Sequence, residues 1–136
     1  MTLPINIAVV DDEKDFHLLF KMTFKKMIRT GDIFVNDFLN GIELLDFLEL
    51  KHDEIKIIIL FTDINMPEMD GISLCKVVSE RYPDIEIYIA SAYGSRQYMD
   101  EAKDAGAKNF FTKPIDFKVI GEIIQDKVAE VRKKAS

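Results

Sequence analysis

Four short clusters carry the side chains able to do chemistry in this chain of 136 residues: Asp11-Asp12-Glu13, Asp63 ahead of Ile64-Asn65-Met66-Pro67-Glu68-Met69-Asp70-Gly71, Ser91-Ala92, and Lys113-Pro114. Each alone has an ordinary explanation. The acids at 11–13 suit a helix N-terminus, where they complement the macrodipole. Asp63 precedes a Pro/Gly turn, Ser91 suits a turn or a cap, and Lys113 suits a solvated position ahead of a helix. Brought to one place they point to a single chemistry. Like charges about 4 Å apart repel by about 4 kcal/mol at an effective dielectric near 20, so clustered carboxylates either take up a proton or hold a cation. An all-oxygen site with few protein ligands and open positions suits Mg²⁺ better than zinc or copper. With a cation, an ammonium and a hydroxyl around it, Asp63 has the surroundings of a nucleophile that attacks a phosphoryl group in line and becomes an acyl phosphate.

The elements that must position these residues follow from the apolar pattern, whose period changes repeatedly along the chain. Ile5 to Val10, Ile33 to Phe38, Ile57 to Thr62, Ile85 to Ala90 and Asn109 to Thr112 read as strands, with Ile57 to Thr62 the most apolar and therefore central. Phe16, Leu19, Phe20, Thr23, Phe24 and Met27 recur at helical spacing and predict one amphipathic first helix ending near Thr30-Gly31. Further helices are expected around Ile42 to Leu48, around Leu74 to Val78, over Ser95 to Ala105 with Gly106 as C-terminal cap, and from Phe117 to Val131. Five strand–helix repeats joined by short connections imply a parallel sheet covered on both faces. In such sheets the site lies beyond the carboxyl ends of the strands. The four clusters fall there.

Composition narrows the function. The chain has 48% hydrophobic and 31% charged residues, the mixture of a soluble globular domain. Its formal net charge of −6 disfavours a nucleic-acid partner, and Arg132-Lys133-Lys134 is too short a basic run to reverse that. No apolar run is long enough to span a bilayer, and the N-terminus has no signal-peptide pattern. The single cysteine, Cys75, excludes an internal disulfide and suits a reducing compartment. A cytoplasmic location without membrane contact is expected.

Taken jointly, the four clusters resemble the receiver domain of two-component response regulators, over Ile5 to about Val131. The resemblance implies one receiver domain spanning 1–136, with its core at about 5–131. The fold it implies is α/β: a flavodoxin-like (βα)5 sheet of five parallel strands in the order 2-1-3-4-5, with helices on both faces. Asp63 would be the phosphoacceptor, and Lys113 and Ser91 would contact the phosphoryl group. Mg²⁺ would be held by Asp12, Asp63 and the backbone carbonyl of Asn65, with Asp11 holding a metal-bound water. The Lys113–Pro114 peptide would be cis. Ser91 and Phe110 would be the switch residues, Phe110 lacking the hydroxyl that a tyrosine often brings there. Tyr93 stands where the family tunes the lifetime of the acyl phosphate. The implied donor is a sensor histidine kinase or a histidine phosphotransfer protein. The implied reader is a target protein or a second copy, docking on the fourth helix, fifth strand and fifth helix. Such a chain is not an enzyme acting on a separate substrate, but a phosphoacceptor that promotes its own phosphorylation and dephosphorylation.

Three other readings compete. A haloacid-dehalogenase-like, Mg²⁺-dependent phosphatase also uses an aspartyl nucleophile, but places a second Asp two residues on, where this chain has Asn65, and usually carries a cap domain. A scaffold of the same fold that is never phosphorylated would not need the acids, Ser91 and Lys113 together. A flavin carrier would need a Ser/Thr/Gly-rich phosphate loop after the first strand. His17 and His52 are expected at the surface, and Cys75 in the core of the third helix. Leu18 and Met22 fall outside the centre of the first helix's apolar arc.

Overall fold

Runs of β-branched residues buried on both faces build the centre of the molecule. In a computed structural model describing residues 4–92 and 94–135, the strands are β1 (Ile5–Val10), β2 (Ile33–Phe38), β3 (Ile57–Asp63), β4 (Glu86–Ser91) and β5 (Asn109–Thr112). They form one parallel sheet in the order β2-β1-β3-β4-β5, as the sequence reading expects. Tyr93 lies outside the described residues.

Alternate residues of each strand feed two cores. Ala8, Val10, Leu60, Ile87 and Ile89 face Leu44 and Leu48 of α3 (Gly41–Lys51), Leu74 and Val78 of α4 (Gly71–Arg81), and Ala102 of α5 (Arg96–Asp104). On the other face Ile7, Val9, Ile59 and Phe61 meet Phe20 of α1 (Lys14–Thr23) and Ile120, Ile124 and Val128 of α6 (Phe117–Ala135).

Local chemistry sets the helix ends. Asn40, Asp70 and Ser95 cap α3, α4 and α5, each side-chain oxygen accepting a backbone N–H three residues on. Gly106, at φ +109°, closes α5 as expected. Its N–H donates to the Lys103 carbonyl and that of Ala107 to the Ala102 carbonyl, the paired bonds of a Schellman turn.

The first helix differs from its expectation. It breaks at Phe24 (φ −103°, ψ 21°), and a second short helix, α2, follows over Lys25–Arg29. The Thr23 hydroxyl bonds the Leu19 carbonyl at 2.8 Å, a competition with the helix ladder of the kind that bends helices. Leu19 and Thr23, expected on the buried stripe, are exposed. The core-facing row is the narrower Phe16, Phe20, Phe24, whose rings lie tilted against one another along one edge of the helix.

The register makes the sheet useful. Val10 pairs with Thr62, Asp63 with Ala90 and Ser91 with Thr112. The ends of β1, β3, β4 and β5 are therefore level, and the residues that follow them share one rim.

Candidate functional site

Asp11 leaves β1 with its N–H donated to the Phe38 carbonyl, and its Oδ1 accepts the Glu13 N–H at 2.9 Å. Those bonds turn the Asp11 side chain inward, where it is buried, while Asp12 is exposed. Asp63 ends β3. Its Oδ1 accepts the Ile64 N–H at 2.7 Å, which fixes the carboxylate plane and leaves Oδ2 toward Lys113. The Ile64 carbonyl in turn accepts the Gly71 N–H at 2.8 Å, folding the β3–α4 loop back over Asp63. No side chain fits there: a Cβ on Gly71 would lie 1.9 Å from the Asp63 carbonyl oxygen. In the same loop Glu68 adopts φ +72°, a left-handed conformation that costs a side-chain-bearing residue about 1–2 kcal/mol.

Lys113 follows β5. Its backbone N–H donates to the Ser91 carbonyl at 2.8 Å, and the Lys113–Pro114 peptide is cis. Its Nζ donates to Asp11 Oδ2 at 2.8 Å and to Asp63 Oδ2 at 3.4 Å, and lies 4.6 Å from the centre of the Phe16 ring. One carboxylate oxygen from each of Asp11, Asp12 and Asp63 falls within 4.8 Å of the others. Ser91, at the end of β4, is fully buried beside them in the sheet.

The electrostatics are those of opposed demands. Burial raises the Asp63 pKa above the ordinary carboxylate value; Lys113 pulls it down and Asp11 pushes it further up. Burial also works against the Lys113 ammonium, but its hydrogen bond to Asp11 and the charges of Asp11 and Asp63 more than reverse this, so its pKa is raised. Three carboxylates against one ammonium leave the cluster short of positive charge. An all-oxygen set of this geometry and sign fits a hard divalent cation.

A family model for the response regulator receiver domain matches residues 7–125. The chain belongs to that family. The receiver is 32% identical over 124 residues to a chemotaxis protein CheY homolog of Campylobacter jejuni, covering 90% of this chain and 91% of the relative. Its fold matches the signal receiver domain of a putative Luxo repressor protein from Vibrio parahaemolyticus with a TM-score of 0.81 at 19% identity, over 98% of this chain and 96% of that one. It also matches a CheX–CheY–BeF3–Mg²⁺ complex from Borrelia burgdorferi with a TM-score of 0.71 at 26% identity, over 90% of this chain and 89% of that one.

Within the receiver, Asp11, Asp12, Asp63 and Lys113 converge as the sequence reading expects. Asn65 is exposed just past Asp63, at the mouth of the loop. Phe110 is half-buried on β5 and packs against the core shared with α4 and α5. Cys75 is buried, and burial pushes its thiol up to about 12. Leu18 and Met22 are exposed.

His17 is the correction. Expected at the surface, it is buried, with Nε2 2.7 Å from the Asp11 carbonyl oxygen and Nδ1 3.2 Å from Asp37 Oδ1. Lys21 pairs with the same Asp37 carboxylate. His17 therefore ties the β1–α1 turn that carries Asp11 to the end of β2. His52 is also less exposed than expected, its ring edge-on to Tyr82 at 4.7 Å.

Proposed function

We propose that this receiver is a phosphoacceptor of a two-component signalling system, taking a phosphoryl group on Asp63 from a phosphohistidine. The donor is a sensor histidine kinase or a histidine phosphotransfer protein. The observation that carries the reading is the Lys113 ammonium, 3.4 Å from Asp63 Oδ2 and 2.8 Å from Asp11 Oδ2, beside a triangle of Asp11, Asp12 and Asp63 carboxylate oxygens no more than 4.8 Å apart.

Asp63 Oδ1 is engaged by the Ile64 N–H, so Oδ2 is the oxygen that attacks phosphorus. A bond forms between Oδ2 and phosphorus as the phosphorus–nitrogen bond to the donor imidazole breaks, the electron pair leaving with the imidazole nitrogen. Lys113 keeps the attacking carboxylate ionised against its burial and offsets charge on the transferred oxygens. Mg²⁺ fits among Asp11, Asp12, Asp63 and the Asn65 carbonyl, where it would neutralise phosphoryl oxygens. The Ser91 hydroxyl sits at the end of the neighbouring strand, able to donate to one of them. The chain is thus a reactant that promotes its own phosphorylation and dephosphorylation rather than an enzyme with a separate substrate.

Output follows from the Ser91 movement toward the phosphoryl group, which lets Phe110 repack and shifts the face made by α5, β5 and α6. A target protein or a second copy reads that face. The whole of residues 1–136 acts as one receiver domain. No described helix is long and apolar enough to cross a membrane, which agrees with action in the cytoplasm.

The test is intact-mass measurement after incubation with Mg²⁺ and a small acyl phosphate. One phosphoryl group should be gained by the parent chain and none by Asp63→Asn. Equal labelling of the two would overturn the assignment.

A further inference from the structure

The side chains that hold Lys113 are not equivalent. Asp11 and Asp63 accept its N–H bonds at 2.8 and 3.4 Å, but the same two carboxylates belong to the acidic triangle that suits a cation. Any cation drawn there competes with the ammonium for them. The third contact escapes that competition. The Phe16 ring faces Nζ at 4.6 Å, offers no lone pair to a metal, and attracts a cation through its quadrupole.

Phe16 is also held firmly. Its ring lies 6.3 Å from Phe117 at 28° and 6.3 Å from Phe20 at 49°, and Phe117 packs edge-on to Phe20 and Phe24. Four phenylalanines from α1, α6 and the break at Phe24 thereby set the plane on which the ammonium rests. We propose that Phe16 is a positioning residue for phosphoryl transfer, its ring face keeping the Lys113 ammonium beside Asp63, in reach of the transferred phosphoryl group, when a cation competes for the carboxylates. The proposal rests on the phosphoacceptor reading of Asp63, and adds to it a residue outside the acid–lysine set.

The experiment uses the full chain with mono-, di- and trifluorinated phenylalanine at position 16, which keeps the ring's shape and drains its face of negative charge. The phosphorylation rate with acetyl phosphate should fall stepwise, by about fivefold across the series, at an unchanged denaturation midpoint. Phe16→Tyr should restore the rate that Phe16→Leu loses. In the metal-free protein the Lys113 ε-methylene protons should show an upfield ring-current shift that Phe16→Leu abolishes. A rate flat across the fluorinated series, or a parent protein without the ring-current shift, would overturn the proposal. Failure of the parent chain to take phosphate would instead defeat the phosphoacceptor reading. The methylene shift would still decide whether Phe16 holds Lys113.

Discussion

Replacing Gly71 by alanine should damage the protein, although Gly71 is the first residue of α4, where alanine would ordinarily help. At a strain-free position Gly→Ala stabilises by about 0.4–1 kcal/mol, through the unfolded chain. Here the new Cβ would sit 1.9 Å from the Asp63 carbonyl oxygen, 2.7 Å from its carbon and 2.9 Å from the Ile64 Cα, all of them backbone. Contacts shorter than 3.0 Å are essentially never seen, so the two segments must part by about 1.1 Å. The Gly71 N–H to Ile64 carbonyl bond, at 2.8 Å, would not survive that separation. The lost bond costs about 1 kcal/mol and the overpacking about 1–3 kcal/mol, and subtracting the gain through the unfolded chain leaves a net loss of about 1–3.6 kcal/mol. The displaced residue is the proposed nucleophile, and an ångström of misplacement can slow a positioned reaction by about a hundredfold. Urea unfolding measures the first effect, and the rate of phosphate uptake from a small acyl phosphate the second. A variant at least as stable as the parent and phosphorylated at the same rate would refute the steric reasoning.

Glu68→Gly should stabilise the fold by about 0.5–1 kcal/mol in urea unfolding, because the relief of its left-handed φ exceeds the entropy glycine adds to the unfolded chain; a loss of stability would count against the strain. Asp63→Asn should raise the denaturation midpoint of the metal-free protein at neutral pH. Burial, with Lys113 opposing and Asp11 assisting, holds the folded pKa of Asp63 above its ordinary 3.8. The stability it contributes is then fully present below that ordinary value and lost as pH rises through the folded one. The mutant's advantage should therefore vanish in acid below pH 3.8, and a mutant less stable at neutral pH would contradict the sign.

The sheet was legible because most of its strands are short β-branched runs, and the ends of β1, β3, β4 and β5 each coincide with a chemical cluster. Asp11, Asp63, Ser91 and Lys113 are far apart in sequence, yet the parallel-sheet rule alone sends them to one rim. What escaped depended on partners from distant elements. His17 lies on the polar side of the α1 pattern, and only the Asp11 carbonyl and Asp37 of β2 explain its burial. Leu19 and Thr23 fit the helical period, but the break at Phe24 narrows the stripe that reaches the core. Phe16 reads as one more core ring, and its place beneath Lys113 depends on α1 and the β5–α6 turn meeting. The need for glycine at position 71 was hidden in an ordinary turn motif until Asp63 was seen against it.

Mapping the phosphate tests the central claim most directly. An aspartyl phosphate reduced with borohydride becomes homoserine, which peptide mass spectrometry locates to a single residue. After brief phosphorylation with Mg²⁺ present, the homoserine should be found at Asp63, with Asp11 and Asp12 unconverted. Phosphate recovered as a borohydride-resistant ester, or homoserine at either of the other two acids, would contradict it.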